Sequence, residues 1–311
     1  MEKCLFGVDV GGTTVKLGLF DLDGDVKDKW EIPTRTEDNG KNIIPDIAGS
    51  ILVKMKQMNM EKEDVVGIGI GVPGPVTEDG TVLLAANLGW GKKNIAEELG
   101  ELTGLEVKAG NDANVAALGE MWKGGGKGHL NVVAVTLGTG VGGGIIIGGK
   151  IVCGATGAGG EIGHIHLEDN ETDQCGCKNY GCLEQYASAT GVVRIANKKL
   201  AATDKASVLR NEEVTAKAVW DAVKAGDEIA IEVANVYGEY LGKGLAAIAN
   251  VVNPEVFVIG GGVSRAGKVL IDYMKPYFEK YVFPGAKFAE FALAELGNDA
   301  GIYGSARLIL G

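Results

Sequence analysis

Two segments of the chain, FGVDVGGTTVKLGLF at 6–20 and VAVTLGTGVGGGIII at 133–147, can be laid over one another. Each is an apolar strand, a turn of glycine and threonine, and a second apolar strand. Asp9 falls on Thr136 and Gly11 on Gly138. Both continue through a further turn (DLDGD, GGK) into more strand. Two such hairpins far apart in a chain predict two related α/β domains facing each other. The competing reading is that any two hairpins with glycine turns look alike.

The segments around them fit the first reading. Apolar residues at helical spacing (Ile43, Ile44, Ile47, Ile51, Leu52, Met55) predict a helix within 41–60. VVGIGIGV at 65–72 is a buried strand ended by Pro73. Helices are expected at 94–103, 112–122, 183–200, 214–225 and 229–251, the last stopped by Asn253-Pro254. VFVIGGGVS is then a strand and a glycine turn. Strands that alternate with helices indicate α/β layers. The 311 residues suffice for two domains, and 46% hydrophobic residues exclude a disordered chain.

Charge and cysteines narrow the function. The net charge is −11 and no Lys/Arg cluster stands out, which disfavours a nucleic-acid surface. An acidic protein can still bind an anionic nucleotide through local backbone N–H groups. The start, MEKCLFGVDVGGTT, lacks the basic and apolar regions of a signal peptide, and no apolar run approaches a membrane span. Five cysteines, an odd number, argue against a closed disulfide framework. The expected location is a reducing cytoplasm, where clustered thiols more often hold metal.

The fifty glycines gather at turns. DVGGTTVK is neither a Walker A loop nor a G-x-G-x-x-G opening a helix. Its turn residues Gly11, Gly12, Thr13 and Thr14 can nonetheless offer N–H and hydroxyl donors to phosphate oxygens. Asp9 could hold Mg²⁺ through water, with Lys16 adding charge. Alone, D-x-G-G-T could be an ordinary turn. The second hairpin supplies Thr136, Gly138, Thr139 and Gly140, and a third turn, Gly260 to Ser264 with Gly261 and Gly262 at its centre, could let an adenine ring lie on bare backbone. Three such turns in this order resemble the actin and hexokinase ATPase superfamily. That resemblance implies a two-domain, actin-like (ribonuclease H-like) α/β fold whose interdomain cleft closes over ATP.

Asp112, behind Asn111 in AGNDANVAALGEMW, stands at a strand-to-helix junction. It could simply be a helix N-cap. It could also be the base that takes a proton from an acceptor hydroxyl, since phosphoryl transfer needs alignment, a proton acceptor and charge neutralisation. Asn111 could then grip a neighbouring sugar hydroxyl. Cys175, Cys177 and Cys182, with His164 upstream, are three thiols and an imidazole suited to a tetrahedral zinc site. Buried free thiols or a redox pair remain alternatives, although Cys-Gly-Cys is too short for an easy disulfide. Zinc there would pin Glu161 and Glu184 and leave one His164 nitrogen facing outward, which together make a wall for polyol hydroxyls.

These motifs, with GVPGPV, NLGW, GAGGEIGH, CGCKNYGCLEQYASATG and IGGGVSRAG in the same order, make the chain resemble the ROK family of sugar kinases. The likeness is greatest to the bacterial ROK-type glucokinases and spans nearly the whole sequence. It implies ATP-dependent phosphorylation of glucose, with Asp112 as catalytic base and Asn111, Glu161, His164 and Glu184 on the sugar beside Asn87 and Gly74. It implies structural zinc on His164, Cys175, Cys177 and Cys182, Mg²⁺-ATP around Asp9, and a cytoplasmic homodimer that binds neither nucleic acid nor membrane. The last helix is expected to return to the first domain, dividing the chain into 1–118 plus 300–311 and 119–299. A kinase for fructose, mannose or an N-acetylhexosamine is the alternative. A sugar-responsive regulator is more remote, because such proteins carry a helix-turn-helix ahead of D-x-G-G-T and only eight residues precede Asp9. The acidic stretch IHLEDNETDQ is expected to vary, His129 and His166 to be surface or satisfied residues, Cys4 and Cys153 to be small strand hydrophobes, and Trp90 and Trp122 to serve packing.

Overall fold

The structure, a computed structural model, describes residues 3–211 and 213–311. The chain divides into two compact units. The first comprises Met1–Leu130, Gly144–Gly160 and Glu295–Gly311, and the second Asn131–Gly143 and Glu161–Ala294.

In the first unit, strand Cys4–Val10 pairs antiparallel with Thr14–Asp21, which pairs antiparallel with Val26–Pro33. On its other side Cys4–Val10 runs parallel to Val65–Val72, and that strand runs parallel to Val107–Asn111 at the sheet edge. Side chains alternate between the two faces of a strand. Phe6, Val8 and Val10 therefore pack with Ile43, Ile44, Ile47 and Ile51 of helix Ile43–Gln57. Leu5 points the other way, into a cluster with Phe20, Ile302, Ala306 and Ile309. Leu52, placed in the helical stripe on spacing, is exposed.

The second cluster belongs to the C-terminal helix, Ala300–Leu310, which packs along helix Asp112–Lys123 and across the strands Cys4–Val10 and Val65–Val72. Glycine makes that approach possible. Gly7 and Gly69 are neighbours in register, and a Cβ on either would run into the carbonyl oxygen of Ile302 or Ser305. The helix thus lies directly on sheet backbone, and the Ser305 hydroxyl donates to the Val8 carbonyl at 2.7 Å.

This unit is larger than the sequence suggested. It runs past 118 to Leu130, regains the chain at Gly144–Gly160, and resumes at Glu295 instead of 300. The buried carboxylate of Glu120 explains much of the difference. It accepts the N–H groups of Gly125, Glu295 and Leu296 at 3.0–3.1 Å, so both segments are tied to the Asp112 helix.

In the second unit, strands Val132–Leu137, Val256–Gly260 and Glu290–Leu293 run parallel in that order. Phe257 stacks on Phe291, and Phe278 meets both edge-on. The long helix Glu228–Val252 starts on the Asp227 side chain, which accepts the Ala230 N–H, and ends at Asn253 in the left-handed region ahead of Pro254. The helix expected over 183–200 is two, Glu184–Ala187 and Ala189–Ala201. Ser188 breaks it by going extended (φ −80°, ψ 171°) and capping the second piece through the Gly191 N–H. The Ala187 carbonyl released by the break accepts the Tyr237 hydroxyl at 2.8 Å. Cys153, expected in a strand, lies just beyond one that ends at Ile151. Among the described residues, no helix is long and apolar enough to cross a membrane.

Candidate active site

Asn111 is the last residue of its strand, and it rather than Asp112 caps the helix that follows. Its Oδ1 accepts the N–H groups of Ala113 and Asn114, both at 3.1 Å. Its Nδ2 donates to the Gly74 carbonyl at 3.1 Å and to Asp112 Oδ1 at 3.0 Å. Both ends of this amide are therefore engaged within the protein. Asp112 becomes the first helical residue, and its Oδ1 also takes the Ala113 N–H at 2.8 Å. A carboxylate here sits in the positive field of the helix start and is held from two sides. Gly74 reaches Asn111 from a turn with φ +91°, a conformation that favours glycine.

Asp9, also in the first unit, has its pKa raised to about 6. Burial is the main cause; Lys16 opposes it and the negative charge of Asp112 adds to it. The Lys16 ammonium donates to the Asn298 carbonyl at 2.9 Å. In the turn after Asp9, the Gly11 N–H meets the Thr14 carbonyl at 3.0 Å, while Thr34 braces Gly11 and Thr13 from outside. Gly11, Gly12 and Thr13 are exposed and Thr14 half-buried, with open space at Gly12. Asn87 is exposed in the short turn Ala86–Leu88, next to the buried Trp90, whose indole N–H is taken by the Gly40 carbonyl.

In the second unit, Thr136 is exposed on strand Val132–Leu137, and so is Thr139 in the turn that joins this strand to Val141–Ile147. It is stiffened by Gly138 N–H to Gly140 carbonyl (3.0 Å), Ala189 N–H to Gly138 carbonyl (2.8 Å) and the Thr190 hydroxyl to Thr139 carbonyl (3.0 Å). Glu184 Oε2 accepts the next N–H, that of Val141, at 2.9 Å. A side chain on Gly140 would have to displace that carboxylate. Gly261 (φ +84°) packs on the backbone of Leu137, and Gly262 is open to solvent.

His164, Cys175, Cys177 and Cys182 come together, all four donor atoms lying within 4.8 Å of one another. Cys177 and Cys182 sulfurs are 3.7 Å apart, and Cys175 sulfur is 3.8 Å from His164 Nδ1. A disulfide needs about 2.05 Å, so these thiols are unpaired. A tetrahedron with Zn–S of about 2.3 Å and Zn–N of about 2.0 Å has edges of about 3.5–3.8 Å, so the cluster fits a metal of that kind. His164 Nδ1 is the nitrogen facing the thiols, and Nε2 lies 4.0 Å from Glu161 Oε2. Glu161 is exposed, and Glu184 Oε1 lies 3.7 Å from Cys175 sulfur.

Sequence reasoning missed what anchors this loop. Burial works against ionising Glu171, yet hydrogen bonds from Tyr186, the Asp173 N–H and Arg194 bring its pKa down to about 2. Glu168 accepts the Tyr240 hydroxyl at 2.7 Å, and Tyr240 stacks on Tyr186 with centroids 3.8 Å apart. The acidic stretch is thus partly a clasp, with His166 bridging the Tyr180 carbonyl and Asp169. Nothing in the spacing of these acids signals their distant partners.

A family model described as the ROK family matches residues 5–311. A glucokinase of Halalkalibacterium halodurans is 44% identical over 99% of this chain and 95% of its own length. A glucokinase of Thermotoga maritima is 36% identical over 98% of this chain and 96% of its own length. The crystal structure of a ROK family glucokinase from Streptomyces griseus, in complex with glucose and AMPPNP, superposes with a TM-score of 0.71 at 34% identity, covering 98% of each chain. The α/β fold with two units is accordingly the two-domain actin-like ATPase fold. Both glycine hairpins, the capped Asp112 and the thiol loop all fall inside the matched span, and the chain belongs to the ROK family.

Proposed function

We propose that this chain is an ATP-dependent glucokinase that transfers the terminal phosphoryl group of ATP to the 6-hydroxyl of glucose, giving glucose 6-phosphate and ADP. The observation that carries this reading is the carboxylate of Asp112, held by Asn111 Nδ2 at 3.0 Å and the Ala113 N–H at 2.8 Å at a helix start. Curated glucokinases at 36–44% identity over nearly the whole chain support the same substrate.

In this mechanism the O6–P bond forms as the bond from the terminal phosphorus to its bridging oxygen breaks, and the hydroxyl proton passes to Asp112. A base so placed accelerates such transfers by about 10²–10⁴-fold. Asp9 would hold the Mg²⁺ that accompanies the nucleotide and neutralises its phosphate charge, and Lys16 would add positive charge there. Gly11, Gly12, Thr13, Thr14, Thr136, Gly138, Thr139 and Gly140 donate to phosphate oxygens, and Gly261-Gly262 give the adenine a bare surface. Glu161, His164 Nε2 and Glu184 receive the sugar hydroxyls, with Gly74, Asn87 and Asn111 beside them. Asn111 acts chiefly by orienting Asp112, because its amide is already engaged.

His164 Nδ1, Cys175, Cys177 and Cys182 would hold zinc. With four protein ligands the metal supplies structural clamping of the loop and no activated water. The active form is taken to be a cytoplasmic homodimer.

A coupled assay of the purified protein across a hexose panel, with ATP, other nucleotides and polyphosphate as donors, tests the proposal. Glucose with ATP is expected to give the highest kcat/KM. No glucose-dependent ADP formation, or clear preference for another hexose, would overturn it.

A further inference from the structure

Side chains alternate along strand Cys4–Val10, so Leu5, Gly7 and Asp9 share the face that the C-terminal helix Ala300–Leu310 covers. Leu5 enters the apolar cluster with Ile302, Ala306 and Ile309, and Gly7 lies against the Ile302 carbonyl. Asp9 lies against Gly301. A Cβ on Gly301 would run into the Asp9 carboxyl carbon and stand 2.6 Å from Oδ2 and 2.9 Å from the Asp9 Cβ. Nonbonded carbon atoms settle at about 3.5–4.0 Å. Because the overlap includes the Asp9 Cβ, no rotation of the Asp9 side chain relieves it.

Two glycines of this helix thus serve different ends. Gly304 faces the Val115 carbonyl of helix Asp112–Lys123 and lets the two backbones approach. Gly301 faces a charged side chain. Its backbone is helical and outside the left-handed region, so its own conformation does not call for glycine, a poor helix former. The residues just before it hold the same strands. Lys16, opposite Asp9 in register, donates to the Asn298 carbonyl at 2.9 Å, and Lys29 on the next strand pairs with Asp299 at 2.6 Å. Asn298, Asp299 and Gly301 therefore each meet a charged side chain from one of three adjacent strands.

We propose that Gly301 is a positioning residue for Asp9. Its missing side chain leaves the space in which the Asp9 carboxylate sits at the end of its strand, beside the exposed turn Gly11–Thr13. A carboxylate there is a hard oxygen donor that fits the Mg²⁺ accompanying a nucleotide. The consequence for the nucleotide rests on that reading of Asp9; the contact between the two residues does not. Any side chain at 301 shifts the carboxylate and weakens binding of the Mg²⁺-nucleotide while leaving glucose alone.

Isothermal titration calorimetry of Gly301→Ala with AMPPNP and with glucose tests this. With Mg²⁺ present, the variant should bind AMPPNP about tenfold more weakly than wild type, and glucose within about twofold. With Mg²⁺ removed by EDTA, the two proteins should bind AMPPNP equally. An unchanged affinity with Mg²⁺ would overturn the proposal, as would the same loss with and without Mg²⁺, which signals general distortion. Denaturant melts of Gly301→Ala, Asp9→Ala and the double variant read the contact by itself, and the two substitutions should be non-additive. Additive midpoints would overturn it. If Gly301→Ala alone does not fold, recovery on adding Asp9→Ala supports the contact, and failure in both backgrounds overturns it. Asp9→Asn that binds Mg²⁺-AMPPNP as tightly as wild type would overturn the role given to Asp9 and leave the result of the melts standing.

Discussion

Glu184 Oε2 accepts the backbone N–H of Val141 at 2.9 Å, so the residue two places after the last thiol of the loop is fastened to the second glycine turn. Its other oxygen lies 3.7 Å from Cys175 sulfur. One side chain therefore connects the metal-binding loop with the turn assigned to phosphate.

If that connection matters, Glu184→Ala should impair the use of both substrates instead of glucose alone. A buried N–H loses its acceptor and the turn loosens. We expect kcat/KM for glucose to fall by about 10²-fold or more and KM for ATP to rise several-fold, measured by steady-state kinetics with each substrate varied. An unchanged KM for ATP would dissociate the turn from the loop.

Asp112→Asn preserves size and the helix cap, since Asn111 does the capping. Glucose binding by calorimetry should stay within a few-fold of wild type, while kcat falls by about 10²–10⁴-fold. Turnover within a few-fold of wild type would exclude Asp112 as the base.

Cys177→Ser removes one of the four donors brought within 4.8 Å. Elemental analysis should find about one zinc per wild-type chain and little in the variant, with a raised KM for glucose and a kcat less affected. Metal-free protein with a normal KM would refute the clamp.

Asp9 makes a prediction about pH. Its folded-state pKa is raised from 3.8 to about 6, so the folded protein prefers this carboxyl protonated. Between about pH 4 and 6 the folded state binds more protons than the unfolded one, and stability falls as pH rises through that window. Above it the ionised Asp9 costs as much as roughly 3 kcal/mol in the unliganded protein. Asp9→Asn should therefore stabilise the unliganded protein at pH 8, give no gain below pH 4, and lose activity. Denaturant melts at the two pH values decide it; equal gains at both would show that ionisation is not the cause.

Much of this molecule could be read from the residues in order. The apolar spacing at Ile43, Ile44, Ile47 and Ile51, the run VVGIGIGV and the stop at Asn253-Pro254 encode elements locally, and the structure has them. The same holds for the gathering of His164 with three thiols. Boundaries were less legible. Asn and Asp both cap helices, and a one-residue choice decided that Asn111 is the cap and Asp112 the held carboxylate. Ser188 breaks a helix whose apolar spacing runs straight through it.

The order of residues by itself determined the strands, helices, glycine turns and the donor set of the loop, because each depends on neighbours within a few positions. Tertiary structure alone decided where the first unit ends, through Glu120 reaching Glu295 and Leu296, and what holds the acidic loop, through Glu171 meeting Tyr186 and Arg194. Those relations join residues far apart along the chain, just as the bare backbone at Gly7 and Gly69 lets the C-terminal helix lie directly on the first unit's sheet.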